Sequence, residues 1–132
     1  MNNTEIVKNT VVAVVGIIVG FLGGFDIMLQ SLIILMVIDY ITGIISGVIN
    51  KKISSHIGFI GILKKMLILL IVCVAVQLDK IMQTDIIRSV TIFFYLANEG
   101  ISILENTANS GIKYPKKLIS VLEQLTNKEN ES

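Results

Sequence analysis

Residues 9–25 contain no charged side chain, and residues 27–49 contain one, Asp39. A helix rises 1.5 Å per residue, so a bilayer core about 30 Å thick is crossed by about 20 residues. Two runs of this length and character fix the solvent the chain is built for. A helix in a soluble bundle keeps a polar outer face, and residues 9–25 offer none. Two later stretches reach membrane length with interruptions. One covers residues 66–78 and extends upstream through 57–63 across Lys64 and Lys65; the other covers 86–104, with Arg88 near its start and Glu99 inside. The sequence therefore predicts an all-α integral membrane protein in one domain, with four transmembrane helices at about 10–25, 27–49, 55–78 and 85–109. A three-span arrangement follows if the first or the last segment lies along the surface instead.

Composition removes several function classes. Of 132 residues, 16% are charged, against about 25% in ordinary soluble domains. Eleven Lys and Arg face ten Asp and Glu, which leaves no field to gather nucleic acid. Cys73 has no second cysteine to pair with, and His56 is the single histidine, so neither a disulfide nor a zinc-type ligand set is expected. Nucleophilic catalysis needs a Ser or Cys beside a His. Here His56 is predicted at the surface and Cys73 several turns deeper, and no glycine-rich phosphate loop occurs. The chain is read as a non-enzyme without metal or cofactor.

The basic residues orient the spans. With the N-terminus in the cytoplasm, Lys8, Lys51, Lys52, Lys64, Lys65, Lys113, Lys116, Lys117 and Lys128 fall inside, and Lys80 and Arg88 fall outside. That asymmetry follows the positive-inside rule and predicts both termini on the cytoplasmic side of the membrane. The first span reads as a retained signal-anchor, because no small-residue cleavage site follows it. Lys51, Lys52, Lys64, Lys65, Lys116 and Lys117 are the membrane-surface basic residues in this reading, with Lys64 and Lys65 snorkelling to the phosphates from two turns inside the third helix. Pro115 opens a short amphipathic helix over 115–126, with Leu118, Val121, Leu122 and Leu125 on one face. It is expected either to lie on the anionic inner leaflet or to dock on a soluble partner, with residues 127–132 disordered.

Small and polar residues fall in stripes. Gly16, Gly20 and Gly24 recur every fourth residue of the first helix, and Gly43 and Gly47 do so in the second, which lets another backbone approach closely. Asp39, Thr42, Gly43, Ser46 and Asn50 share a narrow arc of the second helix, opposite Ile34, Val37, Ile41, Ile44 and Val48. In the fourth, Arg88, Tyr95, Asn98, Glu99, Ser102, Glu105 and Asn106 collect on one side. An ionised carboxylate at the centre of a membrane helix costs about 2.5 to 3.5 kcal/mol, so Asp39 and Glu99 must be protonated, paired or wet. One expectation is that the stripes meet in a homo-oligomer and line an aqueous opening. The other is that they bond to each other or to Lys64 inside a closed bundle.

Two blocks of sequence carry a resemblance. The run Asp39-Tyr40-Ile41-Thr42-Gly43 with Ser46-Gly47, followed by Lys51-Lys52-Ile53-Ser54, Gly58, Gly61 and Lys64-Lys65, resembles the bacteriophage holin family, the toxin-secretion/phage-lysis holins of family-four type. Asn98-Glu99-Gly100-Ile101-Ser102-Ile103-Leu104-Glu105-Asn106, with Gly111 and Pro115, is similar to that family's closing segment. The resemblance implies a membrane protein, usually described with about three spans. Such proteins assemble with copies of themselves in the cytoplasmic membrane and open holes for an endolysin, or in some relatives a large toxin, without binding that cargo stably. Two other readings stand beside it: a small channel subunit in which Asp39 and Glu99 relay ions or protons, and a non-conducting anchor for a soluble partner.

Overall fold

The computed structural model describes residues 1–130, and the side chains of residues 1–124. Five helices follow one another: α1 (Asn3–Phe21), α2 (Ile27–Ile49), α3 (Ser55–Met82), α4 (Ile86–Asn109) and α5 (Lys116–Asn130). Among the described residues there is no strand, and α1 to α4 are each long and apolar enough to cross a membrane.

Local chemistry sets the boundaries. α1 starts seven residues before the expected Thr10, because Asn2 and Glu5 form a capping box in which each side chain satisfies the other's backbone N–H. It stops at Phe21 rather than residue 25, since Gly23 and Gly24 take φ of 84° and 101°, a region open chiefly to glycine. Gly24 therefore lies beyond the helix and leaves the stripe that Gly16 and Gly20 begin. Asp26 caps α2 by accepting from the Leu29 N–H at 3.0 Å. α2 ends where Lys51 turns left-handed and the Lys52 N–H reaches back to the Gly47 carbonyl at 2.8 Å. Ser54 caps α3, which runs on to Met82, past the expected residue 78, and stops at left-handed Gln83. α5 runs to Asn130, into the stretch 127–132 expected to be disordered, of which residues 131–132 lie outside the described residues.

The pairing of helix ends gives the topology. Arg88, at the start of α4, bonds to the loop that opens α2, and Asn50, closing α2, bonds to Asn109, closing α4. α2 and α4 therefore run side by side in the same direction, with α3 antiparallel to both. Leu22, Leu29, Leu32, Met36, Val72 and Ile92 form the buried core, in the half of the bundle nearest Arg88. Cys73 packs on this core as apolar filler. Ile34, Val37, Ile41, Ile44 and Val48, the apolar arc of α2, are all exposed and present a face suited to lipid.

α1 stands apart from this three-helix core, whereas α5 packs against α4. α1 buries none of its residues, and nothing lies within 4 Å of where a Cβ on Gly16 or Gly20 would sit. α5 folds back along α4, with Leu122 filling the space that a Gly100 side chain would need, only 3.2 Å from its Cβ position. The Leu125 side chain, expected on the same face, lies outside those described.

Candidate functional site

The polar arc of α2 meets the polar arc of α4 inside one protomer. Glu99, Ser102 and Asn106 are spaced by three and four residues and so share a helix face. Opposite them stands Asp39, whose Oδ1 accepts from Ser102 Oγ at 2.6 Å and from Asn106 Nδ2 at 2.9 Å. Asn106 Nδ2 also donates to the Asp39 carbonyl and to Thr42 Oγ1, each at 3.1 Å. Gly43 lies beside this contact, its Cβ position 3.6 Å from Asn106 Nδ2, an ordinary van der Waals distance. Nearer the helix ends Asn50 Nδ2 donates to Ser46 and to the Asn109 carbonyl, which extends the seam by two turns.

Lys65 closes the site from α3. Its Nζ donates to Asp39 Oδ2 at 2.6 Å and to Glu99 Oε2 at 2.7 Å, with the Glu99 side chain only 7% exposed. Two carboxylates thus share one ammonium halfway along the spans, a cluster with one negative charge in excess when every member is ionised. In a low-dielectric interior such a cluster holds together only while each member keeps its partners. Removing one partner of a buried pair typically costs about 3 to 5 kcal/mol.

Lys65 corrects two expectations. It points into the bundle rather than snorkelling to the surface, and it, not Lys64, partners the carboxylates. The helical phase of α3 carries the signal: Lys65 lies in register with Ile68, Val72, Ala75, Val76 and Asp79, the inward face of that helix. Lys64 is one residue out of phase and exposed, as are Lys51, Lys52, Lys116 and Lys117.

Other members of the predicted stripe lie elsewhere. Arg88 sits at the far end of α4, where its Nε donates to the Leu22 carbonyl at 2.7 Å and its Nη atoms reach the Gly24 carbonyl and both oxygens of Asp26. It staples the α1–α2 loop to α4, well away from the Asp39 cluster. A Cβ on Gly23 would come within 2.8 Å of the Arg88 side-chain carbon, so this close approach needs glycine there. The hydrogen bond from Arg88 holds the Asp26 carboxyl below its ordinary value, with the Leu29 N–H adding to the effect. Tyr95 packs edge-on against Phe94 at 5.1 Å, Glu105 is exposed, and neither Asn98 nor Glu105 bonds to the cluster among the described residues.

Asp79 is a polar residue that sequence reasoning missed. Buried near the end of α3, it accepts from Thr84 Oγ1 and from the backbone N–H groups of Ile87 and Arg88, at 2.7 to 3.0 Å. It does the capping work for α4 that adjacent Asp85 does not. Its position on the inward phase of α3 is again the legible sign.

Comparison with known proteins agrees with this picture. An uncharacterised 14.9 kDa protein from the nagH 3' region of Clostridium perfringens is 44% identical over 108 residues, covering 80% of this chain and 82% of that protein. An uncharacterised protein of Listeria monocytogenes is 43% identical over 109 residues, 81% of this chain and 78% of its own. The probable holin of Bacillus phage phi105 is 40% identical over 88 residues, 66% of this chain and 65% of that one. No solved structure matches the chain. The model of the bacteriophage holin family covers residues 16–127, from mid-α1 through α5 and across both halves of the polar seam. This membrane chain belongs to the bacteriophage holin family.

Proposed function

We propose that the chain acts as a holin by assembling with copies of itself in the bacterial cytoplasmic membrane and opening holes that pass an endolysin, or a large toxin, to the cell wall. The observation that carries this reading is the Asp39–Lys65–Glu99 cluster, paired at mid-span in a member of a hole-forming family. A lone protomer hides its charges from lipid by pairing them. The same groups become far better solvated if the helices separate around water, so the closed form is held by a few short bonds rather than by an apolar core at this level.

α1 is the element free to bring protomers together. It leaves Gly16 and Gly20 open, and small residues let neighbouring backbones approach in lipid, where no hydrophobic drive acts between helices. Rising protomer density would join α1 faces into rafts. A raft in which α3 withdraws Lys65 would turn Asp39, Ser102 and Glu99 toward a common aqueous space. Both termini lie in the cytoplasm in this arrangement, with the Lys51–Lys52 turn on the same side. Copies of this chain and membrane lipids are the binding partners, and the cargo passes without stable binding.

The test is inducible expression in a bacterium carrying a cytoplasmic reporter enzyme, a potential-sensitive dye and an endolysin without an export signal. Abrupt growth arrest with endolysin-dependent lysis supports the reading. Collapse of the potential while reporter and endolysin stay inside would replace it with a narrow ion conduit, and the absence of any leakage with an anchoring subunit.

A further inference from the structure

A cavity of about 520 Å³ opens between α2 and α3 at the end of the bundle that carries the Lys51–Lys52 turn. Gly43 and Gly47 on α2 and Gly58 and Gly61 on α3 line it, with Ile53 packed beside Gly47 and Tyr40 lying over Gly58 and Gly61. Isoleucines supply its apolar surface. Lys52 lines its mouth, and Lys64 lines it nine residues into α3, about 14 Å along the helix. Neither lysine has an acidic partner within 4 Å among the described residues.

The charges on the wall do not cancel. Lys52, Lys64 and Lys65 face Asp39 and Glu99, so one positive charge remains, the complement of a single phosphodiester. An ammonium held at bilayer depth without a counter-charge is unfavourable, which calls for an anion reachable from the groove. The isoleucines call for an apolar occupant beside that anion. A free inorganic anion satisfies only the first demand. An acyl chain is a single file of methylenes and fits.

We propose that this groove binds one anionic phospholipid, its phosphate held by Lys52 and Lys64 and one acyl chain against the isoleucines of the wall. The site lies in the closed protomer and does not depend on hole formation, so the two readings stand or fall separately.

The experiment places the full-length protein in nanodiscs of equal parts phosphatidylglycerol and phosphatidylcholine and reads retained lipid by native mass spectrometry. The wild type is expected to keep a phosphatidylglycerol adduct about tenfold enriched over phosphatidylcholine. The double variant Lys52→Gln/Lys64→Gln loses the enrichment, whereas Lys64→Arg and the remote pair Lys116→Gln/Lys117→Gln retain it. Beside the control Gly61→Ala, whose Cβ meets Tyr40 at an ordinary 3.9 Å, Gly61→Leu narrows the groove and leaves every charge in place. It is expected to lose the adduct altogether. Equal retention of the two lipids by the wild type, unchanged enrichment in the double-glutamine variant, or displacement of the adduct by inorganic phosphate would each overturn the proposal.

Discussion

Replacing Lys65 by Met removes the one group that both buried carboxylates share. Asp39 keeps Ser102 and Asn106, but Glu99 loses the hydrogen bond its carboxylate accepts from Lys65 and stands 7% exposed beside a second negative charge. Breaking a buried ion pair from one side costs about 3 to 5 kcal/mol. At 1.36 kcal/mol per factor of ten, that shifts the balance between the closed bundle and any form that wets Glu99 by about two to four orders of magnitude. Two assays read this. Amide hydrogen exchange in micelles should show lost protection in α4 around Glu99, and induced cells should arrest earlier than with the wild type. Adding Glu99→Gln to Lys65→Met should restore most of the loss, because a neutral amide needs no ammonium, and the double-mutant cycle then isolates the pair. Unchanged protection together with unchanged timing in Lys65→Met would refute the reasoning that this cluster holds the closed state.

Glu99→Leu tests the opposite sign: it leaves a neutral Lys65–Asp39 pair beside an apolar side chain, so insertion should persist while permeabilisation is delayed or abolished, and normal lysis timing would count against the role given to Glu99. Gly100→Leu forces Leu122 off α4, and overpacking of this kind costs about 1 to 3 kcal/mol; protease cleavage within α5 should accelerate while α2 stays protected. Asp26 is held below its usual pKa of 3.8 by Arg88, so its contribution is present above that value and fades as pH falls through the lower folded value. With that carboxylate 45% exposed, Asp26→Asn should lower stability by less than about 1 kcal/mol at neutral pH, and the difference from wild type should vanish in acid thermal melts. Gly20→Leu should weaken the crosslinked oligomer ladder; an unaltered ladder would reduce α1 to a simple anchor.

Charge spacing and helical period made much of the fold and part of the site readable. The uncharged runs marked the membrane helices, because lipid tolerates no exposed charge at that depth and a bilayer sets the length required. The stripe Asp39, Thr42, Ser46, Asn50 and its counterpart Glu99, Ser102, Asn106 were legible for the same reason: 100° per residue places them on one face whatever that face touches. The segment ends were harder to read. The Asn2–Glu5 box lengthened α1 into a charged stretch, and the positive φ of Gly23 and Gly24 shortened it at the other end.

What the sequence by itself determined is the solvent, the number of membrane-length helices and the polar face of each, all properties of one helix and its surroundings. Tertiary structure alone decided which faces meet. α2 and α4, separated by the whole of α3, run side by side and satisfy each other's polar arcs within one protomer. The choice of Lys65 over its neighbour Lys64 depends on the rotation of α3 about its axis, set by the packing of Val72, Ala75 and Val76 far from the charges. Arg88 left its stripe because the loop carbonyls of Leu22 and Gly24 and the carboxylate of Asp26 came within its reach. A helical wheel gives the direction of a side chain, and only the packed bundle supplies the partner waiting there.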